Sequence, residues 1–298
     1  MKKQILIKFQ EKYEKLARFM INHGLKIKPI IKINRMVHSV FRKSADKFKK
    51  SKTKIGNNIL YLDSNDSMHL SFNPNYEKDE FDLVKRTIKK GDVVLDIGAN
   101  IGVYTVLFAE IVGDKGRVYA FEPDPKNFAL LKKNIEINKY KNVVLINKAV
   151  LNKNKKLKLY ISEKDKGNHK IYKTNENRDF IEVDGISLDN YFKDYKGEIN
   201  FIKLDVEGSE PGVIKGASKI LNKNNIKMMT EFYPKLMDEY GYNYKQYPRD
   251  LLNLGFKVYD IQEKKNEINE ESFEDFFKKL NPSLGYPTNL FCVKRVSV

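Results

Sequence analysis

Short apolar runs alternate with stretches of helical period through most of this chain, and the alternation predicts its architecture. Asp92-Val93-Val94-Leu95-Asp96-Ile97 is a short buried-strand run opened by the turn pair Gly91-Asp92, and a helix predicted over 103–112 is stopped by Gly113. A second strand covers 117–122. After Pro123 and Pro125, the spacing of Phe128, Leu131, Ile135 and Asn138 predicts a helix to about residue 138. A third strand covers 143–146, and a polar stretch holding an extra strand over 157–161 leads to a fourth at 201–205. A helix over 209–221 and a fifth strand at 228–232 come next, with further strand candidates over 257–261 and 290–294. Apolar strands alternating with helices imply an open, mostly parallel α/β sheet covered on both faces. Ligands of such sheets bind beyond the carboxyl ends of the strands.

The pattern before residue 59 is different. Leu6, Phe9, Tyr13, Leu16 and Met20 recur at helical steps with Lys8, Lys12, Lys15 and Arg18 between them, and Pro29 breaks the run. Residues 1–58 hold 17 Lys and Arg against three acids, a balance of +14, whereas residues 59–298 hold 39 against 36, a balance of +3. The expected organisation is a basic, helical N-terminal extension over 1–58 and an α/β domain over 59–298. The favoured reading packs the apolar stripe on the protein's own domain with the lysines facing water, and weak attachment to anionic lipid is the alternative. Nucleic acid is the less favoured partner, because only Arg18, Arg35 and Arg42 of these cations can make bidentate phosphate contacts.

Composition narrows the class further. The 18 Phe and 17 Tyr suffice for a sizeable core. A lone Cys292 excludes a disulfide framework, and His23, His38, His69 and His169 lack zinc-ligand spacing. The 13 uncharged residues from Ile97 to Ala109 are too few to span a bilayer, and Lys8 interrupts the first apolar run too early for a signal peptide. A cytoplasmic protein is expected, with peripheral membrane contact through the extension as the open alternative.

The first strand runs into Gly98-Ala99-Asn100-Ile101-Gly102 and then directly into a helix. Two glycines four apart let backbone turn tightly against a ligand, and the helix start offers free N–H groups to an anion. Asn100 occupies the place where a dinucleotide fingerprint needs its second glycine, so a pyrophosphate is poorly served. Glu122, 20 residues after Gly102 at the end of the second strand, suits a ribose diol. Carboxylate and ribose recognition without a pyrophosphate site points to S-adenosylmethionine.

Three segments carry a family resemblance: Asp96-Ile-Gly-Ala-Asn-Ile-Gly-Val-Tyr-Thr105, Phe121-Glu-Pro-Asp-Pro125, and Ile202-Lys-Leu-Asp-Val-Glu-Gly-Ser-Glu210 followed by Lys215-Gly-Ala217. In order and spacing, over roughly residues 75 to 240, the chain resembles the FkbM family of S-adenosylmethionine-dependent methyltransferases. The resemblance implies a Rossmann-like seven-stranded sheet, mostly parallel with an antiparallel edge, and methylation of hydroxyl oxygens on sugars, polyketides and related metabolites. It further implies that Asp96, Gly98, Asn100 and Gly102 surround the methionine moiety, that Glu122 holds the ribose, and that Asp124, Asn147, Lys148 and Ala149 lie near the adenine.

Asp205 and Glu207 follow the fourth strand and Glu231 ends the fifth, so all three carboxylates are expected at the rim that carries the glycine loop. Methyl transfer to a hydroxyl needs alignment of oxygen with methyl and removal of a proton. One carboxylate acts as base, or the set holds a divalent metal, or Glu207 caps the helix that begins near Ser209. The favoured reading assigns no metal. It gives Asp205 to the sulfonium and substrate, Glu231 to the base or a substrate ligand, and Glu207 a partly structural role. His169 reads as a surface loop residue, with a lid position as the alternative, and 240–247 is an aromatic-rich segment suited to core packing or sugar stacking. The leading expectation is an O-methyltransferase acting on a glycan, sugar or secondary metabolite. An RNA methyltransferase, or a non-catalytic cofactor-retaining module tethered by the basic arm, are the alternatives.

Overall fold

The computed structural model describes residues 50–71, 76–163, 165–223, 225–261, 267–280 and 287–294. The stripe from Leu6 to Met20, and with it nearly all of the basic extension, lies outside them. Among the described residues no helix is long and apolar enough to cross a membrane.

The described residues begin with a hairpin of β1 (Lys52–Ile55) and β2 (Asn58–Tyr61), then α1 (Lys78–Thr87), β3 (Val93–Ile97), α2 (Val103–Val112), β4 (Arg117–Phe121), α3 (Pro125–Ile137) and β5 (Val143–Ile146). A small three-stranded sheet follows, made of β6 (Ala149–Val150), β7 (Lys155–Tyr160) and β8 (Phe180–Ile186). Then come α4 (Leu188–Tyr191), β9 (Phe201–Leu204), α5 (Glu210–Gly216), α6 (Ser218–Lys223), β10 (Lys227–Phe232), α7 (Pro234–Glu239) and α8 (Gln246–Asn253). The last elements are β11 (Lys257–Asp260), β12 (Glu267–Ile268), α9 (Phe273–Leu280) and β13 (Thr288–Val293).

The main sheet has the order β12-β11-β13-β10-β9-β3-β4-β5. Its strands β5, β4, β3, β9 and β10 run parallel, and β13 enters antiparallel between β10 and β11. The expected Rossmann-like sheet with an antiparallel edge is therefore present. The two-residue β12 extends that edge to eight strands, pairing Ile268 with Val258 and burying Ile268 beside Phe273 and Phe276. A strand that short leaves no periodic signal.

Strand alternation sorts the core onto two faces. Leu95, Ile97, Ile202, Leu204 and Met228 pack with α5, α6, α8 and α9 on one side. Val94, Val118, Ala120, Phe201 and Met229 pack with α1, α2 and α3 on the other. Helix α2 is buried on nearly every side, from Val103 to Ala109, which explains its unbroken apolar sequence. The hairpin docks on α3 rather than on the sheet: Asn134 and Asn138 each bridge backbone N–H and C=O of β2, at Tyr61 and Ile59 respectively. Residue 58, where the charge balance changes, falls inside this hairpin.

The helix expected over 209–221 is two helices. Asp189 accepts hydrogen bonds from the Ser218 hydroxyl and the Lys219 and Ile220 amides, so a carboxylate from α4 starts α6 anew after Ala217. Gly216 meanwhile sits so close to the Leu151 carbonyl that an added Cβ would lie 2.2 Å from it. Strand β8 lies in the stretch read as polar, because its sequence Phe-Ile-Glu-Val-Asp-Gly-Ile exposes one face to water.

Candidate active site

A cavity of ≈ 310 Å³ opens at the carboxyl ends of β3, β4, β9 and β10, where an open α/β sheet binds its ligands. Its floor is the loop after β3. Gly98 has φ +81°, and an added Cβ would lie 1.8 Å from the Asp205 carbonyl oxygen, so only glycine lets the loop seat against the end of β9. The Gly98 and Ala99 amides donate to the Phe121 carbonyl, and Asn100, also left-handed at φ 50°, donates its amide to Glu122 Oε2 at 2.8 Å.

Of the nine positions expected around the donor, Gly98, Asn100, Glu122, Lys148 and Ala149 line the cavity. The other four stand behind it. Asp96 is fully buried and accepts from the Thr105 hydroxyl at 2.6 Å, tying β3 to α2. Gly102 makes room for Leu131, whose Cδ1 an added Cβ would approach to 2.5 Å. Asp124 caps α3 through the Lys126 and Asn127 amides. Asn147 donates to the carbonyls of Glu122 and Pro123. Asp124 and Asn147 are held there by side chain to backbone bonds that spacing does not reveal. Glu122 is itself engaged: Oε1 accepts from the Asp124 amide at 2.9 Å and Oε2 from Asn100, leaving further lone pairs toward the cavity. Burial pushes its pKa up to about 8 against those two hydrogen bonds.

Asp205, Glu207 and Glu231 all line this same cavity. Asp205 is paired with Lys203, Nζ to Oδ2 at 3.0 Å. Glu207, at φ 57°, accepts from Asn168 Nδ2 at 2.9 Å. It does not hold the turn before α5. Glu210 does so, its Oε1 accepting from the Val206 amide at 2.9 Å and the Gly208 amide at 3.3 Å, because its side chain turns back from the helix start. Burial, together with Asp205 and Glu207, raises the pKa of Glu231 well above the usual carboxylate range, and burial and Asp205 do the same to Glu207. One oxygen of Glu231, Oε2, is buried with no hydrogen-bond partner among the described residues. Among those residues no group of three or more His, Cys, Asp or Glu side chains is arranged to hold a metal ion.

Three further residues of this site, Lys203, Glu77 and Tyr104, escaped the pattern reading, and a fourth, His169, takes the position read as the alternative. Lys203 lines the cavity yet is only 7% exposed, and the one visible signal is a cation inside the apolar strand Phe201–Leu204. Glu77 and Tyr104 meet at the same end, the tyrosine hydroxyl donating to Glu77 Oε2 at 2.5 Å. His169 is no surface residue: its side chain is 7% exposed, lines the cavity, accepts from the Ser162 amide and stands 3.7 Å from Asp124. Arg178 clamps the loop that carries it through two bonds to Asn168, and burial lowers the imidazole pKa. In the segment over 240–247, Tyr247 is wholly buried against Phe232, which is core packing.

The comparisons bear on the same residues. The family profile "Methyltransferase FkbM domain" matches residues 96–274, and one for protein-L-isoaspartate(D-aspartate) O-methyltransferase matches 15–149. The "Probable cobalt-precorrin-6B C(15)-methyltransferase (decarboxylating)" of Saccharolobus solfataricus is 45% identical over 65 residues, 22% of this chain and 33% of that protein. The 31-O-demethyl-FK506 methyltransferase FkbM of Streptomyces tacrolimicus is 49% identical over 47 residues, 16% of this chain and 18% of that protein. The chain thus spans at most about a third of these two curated relatives. The crystal structure of the FkbM methyltransferase from Methylobacillus flagellatus superposes with a TM-score of 0.42 at 14% identity, covering 87% of this chain and 60% of that one. With the FkbM profile matching more than half of the sequence, and the glycine loop and the carboxylates of β9 and β10 inside the match, the chain belongs to the FkbM family of S-adenosylmethionine-dependent methyltransferases.

Proposed function

We propose that this protein methylates a hydroxyl oxygen on a sugar, a glycan or another hydroxyl-bearing small molecule, with Glu231 accepting the hydroxyl proton. The observation that carries this reading is Glu231 itself. It stands near the end of β10 in the cavity that also holds the glycine loop, one of its oxygens is buried and unpartnered among the described residues, and burial together with neighbouring carboxylates raises its proton affinity.

The residues present fit the donor. In the glycine loop, which lines the cavity, Asn100 Oδ1 is buried with no partner among the described residues. Six carboxylates against three lysines line the cavity, a balance that suits a positively charged ligand. S-adenosylmethionine supplies an electrophilic methyl group on a cationic sulfonium. In this reading Gly98 and Asn100 hold its methionine end, Glu122 accepts from the ribose hydroxyls, and Lys148 and Ala149 border the adenine.

The proton chemistry follows from the charges. Asp205 is already engaged in an ion pair with Lys203, and Glu231 is the carboxylate assigned to proton transfer. Glu231 has a high proton affinity and must be ionised to accept a proton, and a positive charge in the cavity favours its ionised form. His169 and its loop line the same cavity. The test is transfer of labelled methyl from S-adenosylmethionine to sugars, lipid-linked glycans, polyketides and tRNA. A hydroxyl-bearing small molecule should be labelled, and Glu231→Gln should lower turnover by about 10²–10⁴-fold with cofactor affinity retained. Labelling of tRNA alone would overturn the acceptor class, and full turnover in the variant would overturn the base.

A further inference from the structure

The hairpin of β1 and β2 turns outward a face that the catalytic site does not use. Its register pairs Lys52 with Tyr61 and Lys54 with Ile59, so strand alternation puts two lysines, an isoleucine and a tyrosine on one side. Asn58 and Leu60 are buried on the other. Lys133 of α3 joins the outer face: its Nζ stands 3.7 Å from the centroid of the Tyr61 ring, and that of Lys52 stands 4.4 Å from it. One helical turn on from Lys133, Ile137 is 40% exposed. Lys132 is exposed beside them, as are Lys139 and Lys141 on either side of Tyr140, whose hydroxyl donates to Asn58 of the hairpin. The strands of the hairpin carry no acid, and α3 carries only Glu136. At the hairpin turn Glu110 is already engaged by Asn57 and Asn58. Lysines and exposed apolar side chains thus share one surface.

We propose that this face docks on an anionic lipid bilayer, with the lysines over headgroup phosphates and Tyr61 and Ile137 at the boundary of the hydrocarbon. A single lysine at such a surface attracts weakly, so several must act together, and a tyrosine ring and an aliphatic side chain between them add apolar contact. Charge complementarity extends along the chain: residues 1–58, which lead into this hairpin and include β1, carry the balance of +14. The same features fit nucleic acid poorly. Neither the hairpin strands nor α3 hold an arginine, two ammoniums so near the Tyr61 ring hinder stacking of a base on it, and an exposed isoleucine gains nothing from a phosphate. Strand β2 also leads toward the catalytic site, since Ser67 and Met68 shortly after Tyr61 line the cavity. That placement suits an acceptor carried by the membrane, but the docking stands without it.

The experiment is co-sedimentation of the full chain with phosphatidylcholine vesicles, with and without phosphatidylglycerol. At low salt the wild type should bind the anionic vesicles and not the neutral ones, and binding should fade as salt rises. Lys52→Gln, Lys54→Gln and Lys133→Gln together should weaken it on the order of a hundredfold, about fivefold for each charge. Lys219→Gln, Lys257→Gln and Lys278→Gln, on α6, β11 and α9, remove the same net charge from other exposed positions and should weaken it far less. The chain has no tryptophan, so Tyr61→Trp reports contact directly, and its emission should shift to the blue on anionic vesicles. Thermal melts identify a variant that fails to fold, in which case the tryptophan carries the test. Equal losses in the two triple variants would assign the attraction to net charge, and bound protein with an unshifted tryptophan would assign it to another segment. Binding of tRNA in place of anionic vesicles would make the face a nucleic-acid surface. Each of these results, or a wild type that ignores anionic vesicles, overturns the proposal, and none of them depends on methyl transfer.

Discussion

Glu122 does two jobs with one carboxylate. It receives the Asn100 and Asp124 amides and so fixes the glycine loop to the end of β4, and it faces the cavity. Glu122→Ala leaves two amides without their acceptor and removes a charge-assisted ligand contact. S-adenosylhomocysteine affinity should fall by about 1.5–3 kcal/mol, and the ligand-free protein should also lose about 1–3 kcal/mol in urea denaturation. Unchanged affinity would remove Glu122 from ribose binding, whereas unchanged stability would show that the two amides find water instead. At this scale the sequence marks which residues are chemical but not which of them face the ligand. Asp96 and Asp124 carry the same carboxylate as Glu122 and Glu231, yet they spend it on Thr105 and on the start of α3.

The elements follow local rules wherever the pattern is long enough. Strand β3 and helix α2 match their sequence reading because a buried strand and a buried helix both need unbroken apolar runs. The break between α5 and α6 does not match, since its cause, Asp189, comes from 30 residues away. Asp189→Ala should therefore cost about 1 kcal/mol of stability, the usual worth of a helix cap, while leaving cofactor affinity unchanged. Denaturation midpoints of the two proteins check this, and an unchanged midpoint would mean that Ser218 alone starts α6.

Across the whole molecule the site concentrates buried acids. Burial raises the pKa of Glu122 to about 8 and of Glu210 to about 7, and it also raises Glu77, Asp96, Glu207 and Glu231. A folded-state pKa above the unfolded value means that the native protein binds more protons than the unfolded chain between the two values. That stabilisation is complete below the ordinary carboxylate value of 4.5 and is lost as pH rises toward about 8. The ligand-free protein should accordingly melt at falling temperature from about pH 5 to about pH 8, and Glu231→Gln should flatten the slope. A melting temperature that rises across this window would contradict the burial of these groups.

The sequence by itself determined the alternation of strands and helices, the sheet's sidedness and the rim that carries the chemistry. Each follows from local periodicity and from the rule that parallel sheets bind at their carboxyl ends. It also marked Gly98, Glu122, Asp205, Glu207 and Glu231 as members of one site. Tertiary structure alone decided that Glu210 rather than Glu207 holds the turn before α5, that His169 folds inward, and that Glu77 meets Tyr104 and Lys203. Those outcomes depend on desolvation and on partners brought together from distant segments, and neither is encoded in the spacing of residues along the chain.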